Sequence, residues 1–116
     1  MEPQATKGGK LFTELLQRSF VLKAMGLSNQ QIEVALAKLG YNTKEDAIEK
    51  HCGRINDFYK NAKGQGSMDY SISKAWENGV MRRLIEKYRS EFRPYIEAFE
   101  KTLEIKFENL PADKKD

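Results

Sequence analysis

The stretch "MGLSNQQIEVALAKLGYNTKEDAIEKH", from Met25 to His51, constrains the fold of this chain more than any other. Two apolar patterns of helical period are joined by a very short link, so two packed helices have to meet there. Ile32, Ala35, Leu36 and Leu39 fall in helical spacing and define a helix over Ser28–Leu39. "SNQQ" opens it as a capping box, with Ser28 reaching forward and Gln31 reaching back to satisfy free N–H groups. Gly40 closes it. The next helix starts at Thr43, with Glu45 and Asp46 in the first turn, where the helix dipole favours negative charge. Ala47, Ile48, His51, Cys52, Ile55, Phe58 and Tyr59 form its apolar stripe, down to about Asn61.

Upstream, Leu11, Phe12, Leu15, Leu16, Phe20 and Leu22 cover more than one face of a helix over Lys10–Met25, which predicts burial on two sides. Gly26 stops it. "KGQGS", residues 63–67, is the internal linker by composition. Beyond it, Ile72, Trp76, Val80, Leu84, Tyr88 and Phe92 make one long amphipathic stripe. Gly79 inside that stripe costs about 1 kcal/mol against alanine, which suggests a close backbone contact. Pro94 suits the first position of a new helix, and Ile96, Phe99, Leu103 and Phe107 follow as its stripe. No segment alternates with period two for long enough to make a strand. The expectation is an all-α chain of five helices. It divides into a flexible start (1–9), a three-helix unit (10–61), a linker (62–68), a C-terminal arm or hairpin (69–110) and a flexible tail (111–116). Leu16, Leu22, Ile32, Leu36, Ile48, Cys52 and Ile55 are its expected core.

The chain has 116 residues, enough for one domain to bury a modest core without metal or disulfide staples. Its net charge of +3 implies no polyanion partner unless the charge is concentrated somewhere. A single cysteine, Cys52, rules out an internal disulfide framework and suits a reducing cytoplasm. No apolar run approaches the roughly 20 residues that cross a bilayer, so no membrane contact is expected. His51 and Cys52 are sequence neighbours that diverge by about 100 degrees on a helix, so they cannot serve each other as nucleophile and base. Both are expected on the buried stripe. Metal-ligand spacing is missing. "GQGS" lacks the lysine and preceding strand of a phosphate-cradling loop. The expectation is a non-enzymatic protein with no catalytic residue, metal or cofactor.

Charge is patterned in the C-terminal half. Glu97, Glu100, Glu104 and Glu108 recur along the last helix, and Arg82, Arg83, Lys87, Arg89 and Arg93 precede them. They are either solvated faces with local ion pairs, or opposite charges that set the pairing of the C-terminal helices, within one chain or between two. Trp76, Leu84, Tyr88, Phe92, Phe99, Leu103 and Phe107 are the candidate protein interface there, for a homodimer or another partner.

"GLSN" followed by Gln-Gln-Ile resembles the entry to the scaffold helix of LuxR-type transcription regulators. That resemblance, over residues 26–59, implies a helix-turn-helix with residues 43–59 as recognition helix, read against double-stranded DNA. Asn29, Gln30, Lys44, Lys50 and Arg54 are then the nucleic-acid contacts. The second helix is about a turn longer than usual, and Glu45 and Asp46 would bring carboxylates toward phosphates. Residues 20–51 also resemble a ubiquitin-associated (UBA) domain. The resemblance rests on Met25, Gly26 and Leu27 at the end of the first helix, Ala35–Leu36 late in the second, Asn42, and Ala47–Ile48. His51 and Cys52 stand where that family has leucines, so the likeness implies a three-helix fold and protein binding more than a particular ligand. Two functions follow as expectations: a small DNA-binding regulator that dimerises through its C-terminal helices, or a protein-binding adaptor or subunit of a larger assembly.

Overall fold

A computed structural model describes residues 13–108. The described residues run through six α-helices: α1 (Glu14–Ala24), α2 (Asn29–Ala37), α3 (Glu45–Tyr59), α4 (Met68–Glu77), α5 (Val80–Lys87) and α6 (Arg93–Glu108). There is no strand among the described residues. The all-α class is as expected, with one helix more.

The extra helix arises at Gly79. The apolar stripe from Ile72 to Phe92 keeps a period of four straight through it, which is why it reads as one helix. Gly79 instead takes φ +84°, a left-handed conformation that a β-carbon disfavours, and ends α4 while starting α5. Asn78 helps the restart by accepting from Val80 N–H at 3.0 Å. The glycine serves its backbone angle rather than a close contact, because a Cβ there would meet only the flexible end of Arg83.

α1 is the axis of the fold. Thr13 caps it by accepting from Leu16 N–H, and every residue from Leu16 to Leu22 is buried. Burial on two sides was expected; the helix is enclosed on all of them, with α2, α3 and α5 packed around it. Gln17, Arg18 and Ser19 are therefore polar groups inside a core, and each has partners. Gln17 Oε1 accepts from Tyr88 Oη at 2.7 Å and from Lys87 Nζ at 2.9 Å. Ser19 donates to the Leu15 carbonyl. Arg18 makes a two-pronged pair with Glu91, Nε to Oε2 at 2.9 Å and NH2 to Oε1 at 3.0 Å. Its guanidinium also lies between the rings of Tyr41 and Tyr88, 4.8 and 4.7 Å from their centroids. Burial, the largest influence, pulls the Arg18 pKa down, but Glu91 and the two rings outweigh it and the net shift is upward.

Helix ends differ from expectation where local signals were thin. The capping box at Ser28 is present in full. α2 nevertheless stops at Ala37, so Leu39 falls out of helical phase and is 39% exposed rather than in the core. α3 begins at Glu45, two residues later than expected, with Thr43 buried before it. Lys10, Leu11 and Phe12, and the expected flexible ends 1–9 and 111–116, lie outside the described residues.

The "KGQGS" linker is a wound turn. Asn61 Oδ1 accepts from the N–H groups of Lys63 and Gln65, and Asn61 N–H donates to the Gln65 carbonyl. Gly66 runs so close to the Asn56 carbonyl that a β-carbon would overlap it. The turn sets α4 against α3, where Ser71 donates to Asn56 Oδ1 at 3.0 Å. One hydrophobic cluster then extends from Leu16 to Ile96 and includes all of the expected core residues, so the expected N-terminal unit and C-terminal arm share a core.

The Arg18–Glu91 pair yields an asymmetric prediction. The Arg18 side chain is 8% exposed and that of Glu91 is 34% exposed. Glu91→Ala leaves the buried Arg18 cation with only its longer contacts to Glu14, 3.5 Å to the carboxylate and 3.4 Å to the carbonyl, and should cost about 2 kcal/mol. Arg18→Met leaves a carboxylate that water can reach and an apolar chain between two rings, and should cost about 1 kcal/mol. Urea denaturation of the two variants checks the order.

Candidate functional site

A groove lies where the α1–α2 turn and α2 face α6. Its first wall comes from local sequence. Gly26 ends α1 at φ +94°, and Leu27 N–H donates back to the Leu22 carbonyl at 3.2 Å, which sets the half-buried Leu27 at the core's edge beside the start of α2. Ser28 then fixes the direction of α2, and Gln30, Gln31 and Val34 lie along the groove. The second wall is α6. Phe92 and Ile96 are buried and anchor its first turn. Tyr95, Ala98, Phe99 and Thr102 face the groove.

Two adjoining hollows share Gly26, Leu27 and Tyr95. One of about 500 Å³ lies toward Val34, and one of about 340 Å³ lies under Phe99 and Thr102. Val34 is 51% exposed and Ile105, further along α6, is 48% exposed. These are large apolar side chains left in water on helices whose other large apolar residues are mostly covered.

The residues singled out from sequence separate into three groups. Leu84, Tyr88 and Phe92 are each 1% exposed and belong to this chain's core, so they offer no surface to a partner. They looked like an interface because a stripe pattern cannot say which molecule covers it. Trp76, 36% exposed, stacks on Phe99 at 6.4 Å between centroids, and Leu103 is half-buried. The side chain of Phe107 lies outside the described residues. The third group is the DNA set. Asn29 accepts from Lys23 Nζ at 2.8 Å, and Gln30 lines the groove. Lys44, Lys50 and Arg54 are exposed along α3, interleaved with exposed Glu45, Asp46, Glu49 and Asp57.

Leu27, Val34, Tyr95 and Ile105 were not singled out as site residues. The available signal was phase: Val34 sits off the Ile32–Ala35–Leu36 stripe, and Ile105 sits off the Ile96–Phe99–Leu103 stripe.

Charge at the C-terminal helices pairs within the chain. Arg89 donates to both oxygens of Glu100 at 3.2 and 3.1 Å, and to Glu86 at 2.8 Å. The Arg89 guanidinium holds Glu100 below the usual carboxylate range. A more open depression of about 640 Å³ lies over α5, lined by Gly79, Arg82, Arg83, Glu86 and Lys87.

Cys52 is buried as the stripe predicts, whereas His51 at the edge of the stripe is only half-buried. Ser19 is fully buried and spends its proton on Leu15, so His51 Nδ1, 3.4 Å away, meets its oxygen as a donor. Burial pushes the Cys52 thiol up. Among the described residues no cluster of three or more His, Cys, Asp or Glu could hold a metal, and no helix is long and apolar enough to cross a membrane.

No family model, curated protein or solved structure matches the chain.

Burial, and then the neighbouring Arg54, lowers the His51 pKa from its ordinary value of 6.5. On acidification the unfolded chain takes up this proton first. The stabilisation is full above about pH 6.5 and is lost as pH falls through the lower folded value. Thermal melting followed from pH 8 downward should show this loss, and His51→Gln should flatten the profile in that window.

Proposed function

We propose that this chain is a non-enzymatic protein-binding module whose groove between α2 and α6 takes an amphipathic helix. The observation that carries this reading is the half-exposed Val34 over a hollow of about 500 Å³ that is closed on the far side by Tyr95. Such a volume suits two or three apolar side chains, the payload of a helix presenting residues at i, i+3 or i+4, and i+7. The exposed Gln30 at the edge can hydrogen-bond the polar flank of that helix. The UBA resemblance fits the same reading, since Met25, Gly26 and Leu27 form the turn that begins the groove.

Duplex DNA on α3 is the second reading. It draws on Lys44, Lys50 and Arg54, which have no carboxylate within ion-pair distance among the described residues. Asp46 and Asp57 lie on the same side of α3 as Lys50 and Arg54, and Glu45 and Glu49 are exposed further round the helix, so no concentrated positive field is there to attract phosphates.

One experiment separates the two. Helical peptides selected from a displayed random library on the full chain should carry apolar residues at helical spacing. Val34→Glu should weaken them about tenfold or more, because a carboxylate desolvated in the groove costs at least 1.4 kcal/mol. Lys50→Glu with Arg54→Glu should leave them unaffected. Peptides that bind the Val34→Glu chain as well as the parent would sink the groove reading. Tight, salt-sensitive binding of random duplex that disappears in the Lys50→Glu, Arg54→Glu chain would establish the DNA reading.

A further inference from the structure

We infer that the helix occupying this groove is the outer half of α6 from a second copy of the same chain, the two copies meeting as an antiparallel, two-fold pair. This rests on the groove reading above and names its occupant.

The chain carries both halves of the contact. Tyr95, Ala98, Thr102 and Ile105 recur at i, i+3, i+7 and i+10, one face of α6. The inner part of that face lines the groove, and the outer part ends in the half-exposed Ile105. From Lys101 to Ile105 only Leu103 is even half-buried, so this end of α6 stands out with its apolar edge uncovered. Helical structure that projects this way gains most of its stability from packing against something else.

The register of a two-fold pair follows from the positions alone. In an antiparallel pairing centred on Glu100, Tyr95 of one copy lies opposite Ile105 of the other, and Ala98 lies opposite Thr102. Both pairings share that midpoint. Ile105 therefore reaches the hollow at Tyr95, Leu27 and Val34, while the two smallest side chains of the face sit where the helices cross and let them approach. Because the operation is two-fold, each copy gives its Ile105 and receives the other's.

Charge agrees with this register. Glu97 and Lys101 lie on the outer rim of α6, both exposed, and neither has an ion-pair partner within 4 Å among the described residues. In a two-fold antiparallel pair the same rims face each other, and Glu97 of one copy falls within two residues of the position opposite Lys101 of the other. Two reciprocal ion pairs then flank the apolar seam. Glu100, on the opposite side of α6, is already engaged by Arg89 and does not interfere.

Sedimentation analysis of the full chain over about 1 to 500 µM should show the mass doubling with concentration. Val34→Glu and Ile105→Glu should each sediment as monomers with unchanged helical circular dichroism, since both side chains are half in water already. An equimolar mixture of the two variants should associate more than either alone but less than the parent, because it holds one intact groove facing one intact Ile105 while its second contact sets two glutamates together. Glu97→Lys alone should weaken the dimer several-fold by placing lysines together. Adding Lys101→Glu to it should restore the parent constant, which an unrelated occupant of the groove would not do.

A parent chain that stays monomeric throughout, or dimers that survive Val34→Glu and Ile105→Glu, overturns the inference. If the parent is monomeric yet library peptides still bind in a Val34-dependent way, the groove reading stands and its occupant is another protein. If the parent is monomeric and no peptide binds, both readings fail together.

Discussion

Arg18 sits on the most enclosed helix of the molecule, and removing a guanidinium from water is costly unless charge and hydrogen bonds replace the lost solvent. This chain supplies them from distant segments: Glu91 before α6, Tyr88 after α5, and Tyr41 in the turn between α2 and α3. The guanidinium carbon lies within 5 Å of both ring centroids and the carboxylate takes two of its N–H groups, so three separate segments converge on one side chain. An apolar side chain in the same place could give comparable stability, but it would not define where three other segments must lie. Gln17, one residue earlier, repeats the device by accepting from both Tyr88 and Lys87. Through these contacts α1 sets the end of α5, and with it the point and direction from which α6 departs.

That departure creates the groove. Phe92 and Ile96 hold the first turn of α6 in the core, and the Arg89–Glu100 pair ties its second turn to the end of α5. α2 is held independently by Ile32, Ala35 and Leu36 facing α1 and α3. Neither helix is drawn onto the other by a shared buried stripe, and the surface between them is only partly closed. Of the two walls, α2 is built from local signals and α6 is placed by long-range ones.

The same division explains what could be read from the sequence. The capping box at Ser28, the glycine stops at Gly26 and Gly40 and the core from Leu16 to Ile55 depend on spacings of a few residues, and they were legible. The break at Gly79 was not, because a period of four runs across it and only the backbone angle distinguishes one helix from two. The Arg18 cluster was not legible either: its partner Glu91 lies 73 residues away, and no local pattern announces a contact of that span. Tyr88 and Phe92 looked like interface residues because a helical stripe records burial without recording what does the burying. Val34 and Ile105 were visible as apolar residues out of phase, yet single exposed apolar residues are common enough that only their placement along one groove gives them meaning.

A groove of this size limits how tightly a single helix can bind. Burying an aliphatic side chain such as Ile105 contributes about 1.5 to 3 kcal/mol. Association costs several kcal/mol in lost rotation and translation before any net affinity appears. One apolar anchor with a flanking ion pair therefore sits near the threshold of useful binding. Two features of this fold act against that limit. The groove is preformed, since its α2 wall is fixed by the Ser28 capping box and its α6 wall by buried Phe92 and Ile96, so little ordering remains to be done on that side. Two-fold exchange makes two such contacts for a single loss of translational freedom, the second being intramolecular once the first has formed. A lone helical peptide has only the first of these advantages, whereas a second copy of the chain has both.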